Sequence, residues 1–267
     1  MLQESTDLLA EAEALHGFLG GLRETDWSRP TAFKNWTPWD VVAHLHFYDR
    51  VALLALQGRE AFAGRRDALV KEMIAGTSNA EMARREFAEL APAVLLDRWI
   101  DDCREMAKQL GESDASRRLP WFGPDMGLRM FTTARLMETW AHGQGVYDLL
   151  GASRVPTDRL HHIATIGVKT FGWAFVNRRM EVPGLPPRIR LVAPSGAIWD
   201  WNEANEQDCI SGEALDFCQV VTQTRNVADT ALDVKGPVAT SWMSIVQCFA
   251  GPPVDPPKPG ERGPARA

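Results

Sequence analysis

Glu138-Thr139-Trp140-Ala141-His142 is the stretch on which the reading of this chain turns. Glu138 and His142 are four residues apart, so on a helix of about 3.6 residues per turn they stack on one face. That face continues through Phe131 and Ala134 before the pair and through Val146 and Leu149 after it, an apolar stripe of the kind that faces a core. A carboxylate carried into a core needs an ionic partner, hydrogen bonds or a metal. A Glu and a His one turn apart can hold one ion between them. Taken alone, the pair is more readily a Glu–His hydrogen bond at a helix surface.

His44, far upstream, changes the balance. It lies in Thr37-Pro38-Trp39-Asp40-Val41-Val42-Ala43-His44-Leu45, where Thr37 suits the N-cap, Pro38 the first helical position, and Asp40 the free N–H groups of the first turn. His44 then sits about two turns into a helix of about 3.6 residues per turn. The face carrying it runs through Phe47 or Tyr48 to Val51 and Ala55, so its imidazole points inward. Two inward-facing helices thus bring metal-ligand side chains to one core. Three protein ligands leave one position open on a tetrahedral metal, the pattern of catalytic rather than structural sites.

Outward from these segments, Leu8, Leu9, Ala12, Leu15, Leu19 and Leu22 predict an amphipathic first helix over residues 5–24, and the second runs from Pro38 to about Arg59, stopping before Gly64. Ser78-Asn79-Ala80-Glu81 reads as a capping box. The helical pattern beginning there persists to Leu110, and Pro92 must kink or split it into a short helix and a third long one carrying Val94, Leu95, Trp99, Met106 and Leu110. A turn-rich loop, Leu119 to Gly127, leads to the helix of Glu138 and His142, about Leu128 to Leu150, which Gly151 ends. The expectation is a four-helix metal-binding bundle over residues 1–155.

A small α+β domain is expected over residues 156–252. It should hold a helix through Ile163 and Phe175, a hairpin of residues 188–192 and 197–201 turning at Pro194-Ser195-Gly196, and a third strand near Asp208–Ser211. A helix with Ala214 and Val221, a short strand at Ala231–Val234, and a last helix with Trp242 and Phe249 complete it. Residues 253–267, rich in Pro and Gly without apolar anchors, should be disordered.

At 267 residues, 45% apolar and 24% charged, the chain has a globular composition. A formal net charge of -6, without any basic run, argues against a nucleic-acid partner. No stretch reaches the roughly 18 apolar residues of a membrane span and no secretory leader opens the sequence, so a cytoplasmic protein without a membrane partner is expected. Cys103, Cys209, Cys218 and Cys248 lack C-x-x-C spacing and read as reduced, inert thiols.

Asn35-Trp36-Thr37-Pro38-Trp39-Asp40-Val41-Val42-Ala43-His44-Leu45 and Glu138-Thr139-Trp140-Ala141-His142 resemble the two metal-binding segments of the mycothiol-dependent maleylpyruvate isomerase family, a branch of the DinB-like metalloproteins. The resemblance covers nearly the whole chain. It implies a DinB-like four-helix domain joined to a C-terminal α+β domain akin to sterol-carrier-protein folds. Leu191-Val192-Ala193-Pro194-Ser195-Gly196 and Asp216-Phe217-Cys218-Gln219-Val220-Val221-Thr222-Gln223-Thr224-Arg225 are similar to an actinobacterial subgroup, some of whose members carry a "wyosine base formation" label on the C-terminal region.

By this resemblance His44, Glu138 and His142 are zinc ligands and a small thiol such as mycothiol is the cosubstrate. The metal would hold that thiol as thiolate, the form that adds to a maleyl double bond before rotation and elimination. Arg225 falls near a cationic residue that aids catalysis in the family and suits a carboxylate on a small-molecule substrate. Two positions depart from the family pattern: Gly145, where relatives more often place an acidic residue, and the surroundings of Arg225.

Other readings use the same residues. Iron or another divalent metal suits two histidines and a carboxylate, metal-bound water would make a hydrolase, and the metal could merely stabilise a binding protein. Asp40 is a candidate partner of His44 behind the metal, or a fourth ligand, though capping explains it without one. Trp36, Trp39 and Trp121, three of ten tryptophans, are candidate pocket walls. His46 should point away from His44, at a surface or interface, His161 and His162 cannot share a helical face, and no motif speaks to oligomeric state.

Overall fold

Leu8, Ala12, Leu15 and Leu19 recur at helical spacing and are all essentially inaccessible to solvent, which is why the chain opens as helix α1, Gln3–Gly20. The computed structural model describes residues 2–264 and divides the chain into two compact units between Leu149 and Leu150. In the first unit α1 is followed by α2 (Pro38–Gln57), α3 (Arg59–Ile74), α4 (Asn79–Phe87), α5 (Pro92–Glu112) and α6 (Leu128–Leu149). The long helices α1, α2, α5 and α6 form the bundle, with α1 against α5 and α6 and with α2 against α5. Its core holds Leu8, Leu15, Leu45, Phe47, Trp99, Met106, Phe131 and Leu136. The chain thus has the mixed class expected: a four-helix bundle followed by an α+β part.

Local chemistry accounts for the helix ends. Thr37 and Asp40 cap each other's backbone at the start of α2, Ser78 and Glu81 do the same for α4, and Pro92 opens α5 from its first turn. One helix went unread. The chain breaks at Gly58, whose φ of 129° disfavours any side chain, and resumes at once as α3 instead of ending before Gly64. Only Phe62 and Leu69 of α3 are buried, two side chains seven positions apart in a charged segment, too few to make a periodic signal. The loop after α5 carries a small antiparallel pair, β1 (Arg118–Leu119) and β2 (Met126–Gly127), which holds Trp121 and Phe122 between its strands.

The second unit contains α7 (Leu160–Lys169), α8 (Phe171–Val176), β3 (Arg188–Val192), β4 (Ile198–Trp201), β5 (Cys209–Glu213), α9 (Ala214–Val221), β6 (Asp233–Lys235) and α10 (Pro237–Met243). The sheet order is β4-β3-β5-β6. The expected hairpin forms, Leu191 facing Trp199 and Ile189 facing Trp201, while β5 lies parallel to β3 and β6 antiparallel to β5. Gly167 lets α7 approach α9: a Cβ there would meet Val221 at 2.9 Å. The last helix opens where Gly236 turns the chain and Pro237 fills the first helical position, but it ends at Met243, so Phe249, expected on it, lies beyond the helix.

The division falls at 149/150 where 155/156 was expected, and the tail expectation is corrected. Gln223 donates to the Val254 carbonyl at 2.8 Å, Asn226 to that of Pro257 at 2.7 Å, and Arg178 pairs with Asp255 at 2.7 Å. Composition registers missing apolar anchors but not polar side chains elsewhere that satisfy a tail's backbone. Residues 265–267 lie outside the described residues. Among those described, no helix is long and apolar enough to cross a membrane.

Candidate metal centre

The α2 cap sets where His44 lies. Thr37 Oγ1 accepts from the Asp40 amide at 3.2 Å and Asp40 Oδ2 accepts from the Thr37 amide at 2.9 Å, so the helix starts at one defined residue. His44 follows on the buried face. Glu138 and His142 lie one turn apart on α6, beside a close approach of α1 that Gly143 permits, since a Cβ there would sit 3.0 Å from Leu15.

These elements bring the three side chains together. Glu138 Oε2 lies 3.1 Å from His142 Nε2 and 3.5 Å from His44 Nε2, and one ligand atom from each residue falls within 4.8 Å of the others. Two ligands each about 2.0–2.1 Å from a tetrahedral zinc stand roughly 3.3 Å apart, so the two contacts bracket the spacing such an ion needs. The donor set of two imidazoles and a carboxylate therefore fits a divalent metal, and it is the only such group of three among the described residues.

Burial, reinforced by the charge His142 can carry and opposed by Glu138, holds His44 down at about 4, so its imidazole is neutral near pH 7. Burial pushes the Glu138 carboxyl up, but the hydrogen bonds and charges of the two imidazoles outweigh it and hold it well below the usual range. Neutral imidazole and ionised carboxylate are the forms that ligate metals.

Aromatic rings wall the cluster. Trp36, buried, stacks on His142 with ring centroids 5.2 Å apart and lies 5.0 Å from His44. Phe33, which the sequence did not single out, stands edge-on to His142 at 5.2 Å. Tyr48 packs on His44 at 4.9 Å, and Trp121 lies one ring further out, 6.4 Å from Tyr48. Trp39 does not join the wall. Its indole donates to the Leu90 carbonyl at 3.1 Å, tying the start of α2 to the chain before α5.

Asp40 is also placed elsewhere. Arg84 donates to both its oxygens, at 2.6 and 2.8 Å, and Thr37 takes the rest, while His44 Nδ1 is buried without a hydrogen-bond partner. Capping thus uses Asp40 fully. Instead α2 and α6 are joined behind the cluster by Asp49, wholly buried, which accepts from Arg135 at 2.9 and 3.1 Å and from the Trp99 indole at 3.0 Å. Nothing in the sequence marks this trio, whose members share no motif. Arg225 belongs to the second unit, where it is buried and donates to the Thr224 carbonyl at 2.7 Å.

The model of the mycothiol maleylpyruvate isomerase N-terminal domain matches residues 8–147, which span the bundle and all three cluster residues. Two proteins of Mycobacterium tuberculosis, one from strain CDC 1551 / Oshkosh and one from strain H37Rv, are each 37% identical over 251 residues, covering 92% of this chain and 95% of their own; both are called uncharacterized. Among solved structures, the mycothiol-dependent maleylpyruvate isomerase superposes with a TM-score of 0.51 at 12% identity, over 82% of this chain and 87% of its own. A mutant of that enzyme gives the same score at 14% identity. At such identities the superposition shows the fold, whereas the family model speaks for the sequence. This chain therefore belongs to the mycothiol maleylpyruvate isomerase N-terminal domain family, a family of enzymes.

Proposed function

We propose that the protein is a zinc-dependent enzyme that uses a low-molecular-weight thiol such as mycothiol, as an isomerase or a thiol transferase acting on a small molecule. The observation that carries this is the closure of His44, Glu138 and His142 around one point, from two helices, within the span matched by the family model. Bound there, the metal would supply Lewis-acid chemistry that keeps a thiol in its nucleophilic thiolate form.

The chain's own residues prepare for it. His44 and His142 offer imidazole nitrogens, Glu138 offsets positive charge, and Phe33, Trp36 and Tyr48 keep water from the flanks of the site. Three protein ligands leave room for a further one. Arg225 is our candidate partner for a substrate carboxylate, and the reaction belongs in the cytoplasm, where small thiols stay reduced. Elemental analysis of the purified protein should find about one equivalent of divalent metal, lost on His142→Ala. A metal-free wild type would end the proposal. With the metal present, incubation with mycothiol should give a metal-dependent complex by native mass spectrometry.

A further inference from the structure

Tyr48 poses a question that packing does not answer. Its ring stands one turn after His44 on α2, 4.9 Å from the imidazole, with Phe47 at 5.2 Å, Phe122 at 6.1 Å and Trp121 at 6.4 Å around it. A phenylalanine would fill that place as well. The hydroxyl is the added group: it meets no hydrogen-bond partner among the described residues, and although Tyr48 is only 7% exposed, solvent still reaches that oxygen. A hydroxyl in that position is open to an acceptor that a bound ligand brings.

Neighbouring polar groups are already committed. The Nε2 atoms of His44 and His142 face Glu138, Asp40 is held by Thr37 and Arg84, and Asp49 by Arg135 and Trp99. Tyr48 is a hydrogen-bond donor on the face of α2 that carries His44, with its ring 4.9 Å from that imidazole. Resting on the metal-centre reading above, we propose that Tyr48 donates a hydrogen bond to an oxygen of the small molecule bound at the centre. It is thereby a ligand-binding residue that selects carboxylate- or carbonyl-bearing ligands. A thiol sulfur is a weaker acceptor and gains less from the same donor.

Cobalt(II) in place of zinc makes the centre visible by its absorption, and acetate and 2-mercaptoethanol serve as probes of oxygen and sulfur ligands. In Tyr48→Phe, cobalt affinity and mercaptoethanol affinity should stay within about twofold of wild type while acetate binds roughly tenfold more weakly, the loss expected for one hydrogen bond to a charged group. Equal acetate affinity in the two proteins overturns the assignment. So does a wild type that takes up cobalt but no acetate, and so does a variant that loses cobalt itself, which would make Tyr48 a support of the metal. A wild type that takes up no cobalt overturns the metal-centre reading instead, so the two failures are told apart.

Discussion

His46 and His44 are two residues apart on α2 and meet different surroundings, yet both are held near 4. For His46 the cause is burial, then the charges of Arg50 and Arg98; its ring stacks on Phe87, and its Nδ1 lies 3.5 Å from Asp102, too poorly placed to bond. The histidine expected at a surface or interface is in fact buried, because α4 covers that side of α2. Both folded-state values lie below the ordinary 6.5, so the unfolded chain binds more protons between about pH 6.5 and pH 4. Stability of the metal-free protein should be flat above about pH 6.5 and should fall as the pH drops below it. His46→Phe should recover roughly 1 kcal/mol or more of the loss at about pH 5, read from urea unfolding at about pH 5 and pH 7.5. A wild type equally stable at both would contradict the assigned burial of these rings.

Helices α2 and α6 supply the cluster from opposite parts of the chain, and their relative register decides whether His44 reaches Glu138. The buried Asp49–Arg135 pair, with Trp99 of α5 on the second carboxylate oxygen, ties the three helices at one level. Removing one partner leaves a buried charge alone, so Arg135→Met or Asp49→Asn should cost about 3–5 kcal/mol in urea unfolding. The double change Asp49→Leu with Arg135→Met should recover most of that, since an apolar pair of similar volume replaces both charges. A single variant as stable as wild type would mean that the pair is not desolvated as its burial implies. The helix starts were legible because caps act within a few residues: Thr37 with Asp40, Ser78 with Glu81, Pro92. The unread α3 has no such cap and almost no buried face.

All three cluster residues, and the family match over residues 8–147, lie in the first of the two units. We therefore expect residues 1–149 expressed alone to fold and bind about one equivalent of metal with an affinity within a few-fold of the full chain. Calorimetric titration checks this, and a fragment that folds but binds nothing would assign part of the centre to the second unit. The sequence by itself determined the two helix faces, their caps, the three candidate ligands and the mixed fold class. Periodicity and capping are local, and a carboxylate among apolar positions is conspicuous without any neighbour in view. Only the tertiary structure decided that Trp36 and Phe33 flank His142 while Trp39 does not, that Asp40 is taken by Arg84, that Asp49 and Arg135 meet, and that the tail is held by Gln223, Asn226 and Arg178. Each of these is a contact between segments far apart in the chain, made by side chains whose direction depends on how the helices pack, and no local pattern encodes that.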